Sequence, residues 1–188
     1  MVDFNRTVWT IGHSTRGLDE FLGLLRENRI AALADVRRFP GSRKHPQFGK
    51  DALRASLSEI DIEYLHLPEL GGRRAPHADS VNTAWRNPSF RGYADYMESP
   101  EFRSGIQKVK DLAERVPTVV MCAEAVWWKC HRALIADWLK VRGVEVLHIL
   151  SENKVEPHPY SSAARVIDGQ LSYRAPHEDA THAELPLS

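Results

Sequence analysis

The stretch C-A-E-A-V-W-W-K-C-H-R, Cys122 to Arg132, holds both cysteines of the chain together with a carboxylate, two tryptophans, a histidine and an arginine. The thiolate is the reactive form of cysteine, and it is favoured near the start of a helix and beside cationic side chains. Cys130, followed by His131 and Arg132 where a helical pattern begins, is therefore the candidate nucleophile. Glu124 precedes Trp127 and Trp128, a setting that strips water from a carboxylate and suits it to general acid or base work. The alternative for Glu124 is an ion pair with Arg132 that ties loop to helix. His131 is a further candidate for moving a proton. Seven residues separate the cysteines, not the two of a redox or zinc-knuckle pair, and one Cys-Cys-His set is short of a closed zinc site. No metal or other cofactor is expected on that spacing, and Cys122 reads as a small buried hydrophobe. A transient Cys122 to Cys130 disulfide is the remaining redox use.

Other polar groups follow other apolar runs. G-H-S-T, Gly12 to Thr15, comes after V-W-T-I, so Gly12 and Ser14 can cradle an anion on free backbone N–H groups, or a hydroxyl can cap the helix that follows. His13 titrates near neutral pH and is a candidate acid or base. Asp35 is a candidate catalytic carboxylate, or the partner of Arg37 in an ion pair. From Arg37 to Lys50, the cations Arg37, Arg38, Arg43, Lys44 and Lys50 interleave with Phe39, His45 and Phe48, with no acid among them. Such a run neutralises phosphates and offers rings to stack on bases. Gly71 and Gly72 precede Arg73 and Arg74, and Trp85, Arg91 and Tyr93 belong to a second aromatic and basic patch, read as a packed lid or a site wall.

The elements that must position these groups alternate. Short apolar strands are expected at 8–12, 30–36, 62–67, 118–124 and 144–149, with amphipathic helices at 18–28, 50–60, 92–98, 100–115 and 133–142. Strand and helix in turn predict an α/β fold: a mainly parallel five-stranded sheet flanked by helices, a three-layer Rossmann-like or flavodoxin-like sandwich. Ligands of such sheets bind outside the carboxyl ends of the strands, where the four polar clusters fall. A long irregular insertion is expected at 69–90, a single domain over 1–173, and a loose tail over 174–188.

Composition sets outer bounds. At 188 residues, with 43% hydrophobic and 27% charged residues, the chain suits one globular domain. Its 25 cations balance its 25 anions, so steering of a charged partner has to come from local patches. No apolar run is long enough to cross a bilayer and the first residues lack a signal-peptide pattern, so the expected address is cytoplasmic, with free thiols and no membrane partner.

The blocks G-H-S-T, A-D-V-R-R-F-P-G-S-R, Y-L-H-L-P-E-L-G-G, F-R-G-Y-A-D-Y-M, M-C-A-E with C-H-R, and H-P-Y-S-S-A-A-R occur in this order over roughly residues 7 to 173. Together they resemble the family known as domain of unknown function 488. The resemblance makes Gly12, His13, Ser14, Asp35, Arg37, Gly71, Gly72, Cys122, Glu124, Cys130, His131 and Arg132 the matching positions, without assigning them roles. Some relatives carry the label "DNA repair protein".

The expected function is handling of nucleic acid, as a hydrolase or glycosylase-type DNA repair enzyme that acts on a damaged or unpaired base. The loop from Arg37 to Phe48 would hold phosphates and Trp85, Trp127 or Trp128 would stack on an extruded base. Glu124 or Asp35 would activate water, and His13 or His131 would move a proton. Two other classes fit the same residues. One is a cysteine-dependent sulfur-transfer or redox enzyme that grips a small-molecule anion with Arg132 and G-H-S-T. The other is a nucleic-acid-binding module without catalysis.

Overall fold

Runs of branched and apolar residues build the centre of the molecule, because a strand buried on both faces needs apolar side chains in both directions. The computed structural model describes residues 7–41 and 43–176. Thr7–Gly12 (β1), Ala32–Asp35 (β2), Glu63–His66 (β3), Thr118–Cys122 (β4) and Glu145–Ser151 (β5) are parallel, and Lys154–Pro157 (β6) joins the edge of β5 antiparallel. The helices are Leu18–Glu27 (α1), Lys50–Ser58 (α2), Pro88–Tyr96 (α3), Pro100–Arg115 (α4) and Arg132–Val141 (α5). The three-layer α/β sandwich is the observed architecture. Its sheet carries six strands in the order β3-β2-β4-β1-β5-β6. That order differs from both 3-2-1-4-5-6 and 2-1-3-4-5, the two common doubly wound arrangements.

Period-two alternation divides the core. Ile11, Leu33, Val119, Met121 and Ile149 face α1 and α2, joined by Phe21, Leu25, Leu53 and Leu57. Val8, Ala34, Val120 and Val146 face the opposite layer, with Phe102, Ile106, Val109, Leu134 and Leu139 from α4 and α5. Local signals set the helix starts. Asn87 accepts from Ser89 N at 2.8 Å and Ser99 from Phe102 N at 3.2 Å, and each cap is followed by proline at the first helical position. The N-cap of α1 is Gly17, with no side-chain cap, so neither Ser14 nor Thr15 has the capping role anticipated for G-H-S-T.

Two tethers order the segments that lack periodic pattern. In the insertion, the Asp95 carboxylate accepts from His77 N at 2.9 Å, Ser80 Oγ at 2.6 Å and Asn82 Nδ2 at 2.7 Å. Burial alone would raise this carboxyl, and the three donors hold it below its usual range. Toward the C-terminus, Asp137 of α5 accepts from Ser161 N at 2.9 Å, Ser161 Oγ at 2.5 Å, Tyr173 Oη at 2.8 Å and His158 Nε2 at 2.9 Å. His158 continues to His148 at 2.9 Å, and His148 to Thr10 Oγ1 at 2.6 Å, all buried. The segment to Tyr173 is thereby folded, and it includes the hairpin Arg165–Ile167 (β7) and Gln170–Ser172 (β8). Of the tail expected over 174–188, residues 177–188 lie outside the described residues. Among the described residues, no helix is long and apolar enough to cross a membrane.

The topology dictates where a site can form. The chain leaves β1 for β2 over the α1 face and leaves β4 for β5 over the α5 face, and β1 and β4 are neighbours. The connections diverge above this pair and open a crevice at its carboxyl end. Backbone pairing continues past the strands: His13 N donates to Cys122 O at 3.0 Å, Ser14 N to Ala123 O at 2.8 Å and Val36 N to Met121 O at 3.0 Å. The polar residues that follow β1, β2 and β4 are drawn together by these bonds.

Candidate functional site

Beside the crevice, the fully buried Asp35 carboxylate accepts from Arg37 N at 3.1 Å, Arg37 Nε at 2.9 Å, Arg37 Nη2 at 2.6 Å and Tyr64 Oη at 2.7 Å. Burial and the bond to Asp35 push the Tyr64 hydroxyl up, so it stays a donor. Arg37 Nη1 lies 3.3 Å from His13 Nε2, and His13 Nδ1 is 3.0 Å from the Ser14 carbonyl. Burial, then the Arg37 charge, lower His13 from 6.5 to about 4. The His13 ring stacks on Phe48 with centroids 4.4 Å apart. Asp35, Arg37, His13 and Tyr64 thus form a satisfied buried unit that presents one face of Arg37 to the crevice.

A second unit lies across it. Cys122 ends β4, and a tight turn at Trp127–Lys129 folds the chain back so that Cys130 and His131 return to the same place. His131 Nδ1 is 3.6 Å from Cys130 Sγ and 4.0 Å from Cys122 Sγ, and all three ligand atoms lie within 4.8 Å of one another. Arg132 N donates to Cys130 Sγ at 3.5 Å. Burial opposes a Cys130 thiolate, yet the Cys122 S–H beside it, with His131 and Arg132, holds Cys130 well below the ordinary thiol range. The same sulfur contact, with burial, raises Cys122. His131 Nε2 is buried without a hydrogen-bond partner among the described residues.

Between the units lies a cavity of about 460 Å³ lined by Arg37, Arg38, Phe39, Gly72, Arg73, Phe90, Cys122, Glu124, Lys129, Cys130 and His131, among others. A neighbouring space of about 470 Å³ shares Arg37, Phe39, Glu124 and Lys129 with it and adds His13, Ser14 and His45. Four cations and one carboxylate line the first cavity, so its field favours an anion although the chain as a whole is neutral. Phe39 is 78% exposed at this rim, with Arg38 over its ring at 5.5 Å.

The sequence-derived candidates therefore separate into groups. Glu124, Cys130, His131, Arg37, Arg38, Gly72 and, in the adjoining space, His13 and Ser14 line the crevice. Asp35 is sealed beneath it by its four donors. The N–H groups of His13 and Ser14 are spent on the Cys122 and Ala123 carbonyls, which removes them from an anion cradle. Gly12 serves packing: a Cβ there would fall 1.7 Å from the Glu124 carbonyl oxygen, so the glycine lets the Glu124 loop cross β1. Gly71 likewise packs against Arg38. Arg132 is 1% exposed and donates to the Glu124 carbonyl at 2.7 Å, not to its carboxylate, so neither the anticipated ion pair nor substrate contact is formed. Arg43 and Lys44 are exposed on their loop and are not among the groups lining the cavity.

The aromatic candidates are mostly used elsewhere. Trp127 turns inward and stacks on His148 at 4.6 Å with an 8° interplanar angle, so the tryptophan pair does not close over Glu124. Trp128 is 51% exposed, edge-on to Trp127. Trp85 packs on Phe90 and Tyr173, where the insertion meets the C-terminal hairpin, and Arg91 Nε donates to its carbonyl. Phe48 and Tyr93 are core residues, Tyr93 bonding Leu70 O at 2.7 Å. Sequence reasoning named Phe39 only as one ring of the basic loop and Arg73 only beside Gly71 and Gly72, and it passed over Lys129. The signal available for Phe39 was a large apolar residue just before Pro40-Gly41, where a turn leaves it nothing to pack on.

The family model described as "Domain of unknown function DUF488" matches residues 17–139. The chain belongs to that family. Within this DUF488 chain the match runs from α1 into α5 and includes Asp35, Arg37, Gly72, Cys122, Glu124, Cys130 and His131, whereas His13 and the His148–His158 pair lie outside it. No curated protein and no solved structure matches the chain.

Proposed function

We propose that this protein is an enzyme acting on nucleic acid, which holds a strand by its phosphates along Arg38, Arg73 and Lys129 and receives one unpaired base in the cavity beneath. The observation that carries this reading is the single cavity in which a cationic rim, the exposed Phe39 ring and the Glu124, Cys130 and His131 side chains meet. Cations at the rim suit phosphates, and a free aromatic face suits a base of any sequence. A base has to leave its stack before a group in a pocket can reach it, which makes single-stranded or mismatched sites the expected substrates. The reaction class the polar groups support is hydrolysis, with Glu124 as the general base; repair of a damaged base is the role in which such an activity is useful. The test is binding and product analysis with single-stranded, mismatched and fully paired oligonucleotides at low salt. Binding that prefers unpaired sites, with product lost in Glu124→Gln, is expected; absence of binding to all three removes the reading.

A second reading draws on the pairing of Cys122 with Cys130 and the Arg132 N–H on the Cys130 sulfur. It makes the protein a cysteine-dependent enzyme for a small anion, with Cys130 as nucleophile. Alkylation separates the two: a metal-free protein whose Cys130 reacts no faster than a free thiol excludes it.

A further inference from the structure

Cys122 comes from the end of a strand, Cys130 and His131 from the entry to the next helix, and their ligand atoms converge on one point beside the cavity. Bonds of about 2.3 Å to sulfur and about 2.1 Å to nitrogen at tetrahedral zinc set sulfur and nitrogen about 3.6 Å apart, and the two sulfurs about 3.8 Å apart. The distances from His131 Nδ1, 3.6 Å to Cys130 Sγ and 4.0 Å to Cys122 Sγ, are close to those of such a site. We propose that Cys122, Cys130 and His131 bind one zinc ion whose fourth position opens into the cavity.

The donor set selects the ion. Thiolate and imidazole suit zinc, whereas magnesium and calcium take oxygen ligands. Three protein ligands with one open position are the arrangement of a catalytic zinc site rather than of a closed structural one. Surrounding groups support it. Arg132 N donates to Cys130 Sγ at 3.5 Å, a donor that spreads the charge of that sulfur. Gly72 keeps the approach to the histidine open, since a Cβ there would stand 2.8 Å from His131 Nδ1.

Glu124 lines the same cavity and is not in the ligand group. Its role follows from that position. A zinc-bound water passes a proton to the Glu124 carboxylate, which leaves a zinc-bound hydroxide. The hydroxide oxygen bonds to the attacked carbon, and the leaving group departs with the proton that Glu124 carried. A His/Cys/Cys zinc set beside a non-ligating glutamate is how zinc deaminases activate water on a base. The site deepens the nucleic-acid reading by naming its hydrolytic agent, and it rests on that reading only for the substrate. Cys130 is then a ligand and not a nucleophile.

The test uses the full chain. Zinc is quantified as purified, removed with a chelator and replaced by cobalt(II). One equivalent of zinc per chain is expected, with thiolate-to-cobalt charge-transfer absorption on reconstitution. That absorption is lost in C122S and C130S, whereas E124Q keeps one equivalent of metal. The charge-transfer band itself reports thiolate ligation, so the wild type decides the matter even where a serine variant fails to fold. A folded wild-type chain that takes up no cobalt, or binds it without the band, overturns the site. Metal is read without nucleic acid present. A chain that binds cobalt but no oligonucleotide therefore sinks only the nucleic-acid reading, and one that binds oligonucleotide but no cobalt sinks only the metal site.

Discussion

Arg37 Nη1 reaches His13 Nε2 at 3.3 Å while His13 Nδ1 meets the Ser14 carbonyl at 3.0 Å, so one ring nitrogen accepts and the other donates. That is the neutral imidazole, held in one tautomer. His13 therefore buttresses Arg37 near neutral pH, and the proton-moving role expected for it from sequence does not fit its surroundings.

The folded chain refuses a proton at His13 until about pH 4, whereas the unfolded chain accepts one near 6.5. Stability then falls as pH drops from about 6.5 through about 4 and levels off below, because the unfolded state binds more protons in that window. His148, lowered to about 3 by burial and then by His158 and Arg132, adds a contribution of the same sign that extends further down. Urea unfolding between pH 7 and pH 4 checks this: the fall is expected to be shallower in His13→Gln than in wild type. Parallel pH profiles would refute it.

Asp35→Asn leaves Arg37 buried without its counter-charge. Loss of one member of a buried pair typically costs about 3–5 kcal/mol. Denaturant unfolding is expected to show a loss of that order, accompanied by weaker oligonucleotide binding, because Arg37 no longer holds its place in the cavity wall. A variant as stable as wild type would mean that water replaces the pair without cost.

Trp127 and Phe39 are expected to exchange the roles their residue types suggest. Trp127→Ala removes a ring stacked on buried His148 and should cost about 3–5 kcal/mol of stability, with binding in the surviving folded protein little changed. Phe39→Ala removes a ring packed on almost nothing, so stability should hold while binding of single strands weakens by about 1–3 kcal/mol. Paired melting and anisotropy measurements on both variants read the contrast, and the opposite assignment would return the stacking role to the tryptophans.

The sheet was legible because β1, β2 and β4 are short apolar runs bounded by turn signals, with amphipathic α1 and α4 between them and α5 after β4. Strand order was not, since nothing local to β4 specifies that it inserts between β2 and β1; that follows from which face each crossover covers. The hairpin of β7 and β8 left a readable mark, the Asp168-Gly169 pair with both residues at positive φ. Residues at the strand ends were legible as a group because a parallel sheet brings them to one edge. The fate of Trp127 was not: its partner His148 arrives from β5. Nor was the convergence of Cys122 with Cys130 and His131, because separation along the chain says little once the turn at Trp127–Lys129 folds it back.

Gly72→Ala tests the geometry around His131. The added Cβ would stand 2.8 Å from Nδ1, and the ring is the flexible partner that has to turn. The expected result is a modest change in melting temperature together with a large drop in cobalt affinity. Unchanged affinity would show that His131 does not contribute Nδ1 to a metal.

The salt dependence of oligonucleotide binding decides whether the cationic rim of the cavity holds a phosphate backbone. Each cation that neutralises a phosphate of a single strand contributes about 0.7 to the steepness of log K against log salt concentration. Replacing Arg38, Arg73 and Lys129 together by alanine is therefore predicted to reduce that slope by about 2 while leaving the fold intact, as all three are exposed. A wild-type chain that does not bind, or a triple variant whose slope equals that of wild type, would contradict the assignment of this cavity to nucleic acid.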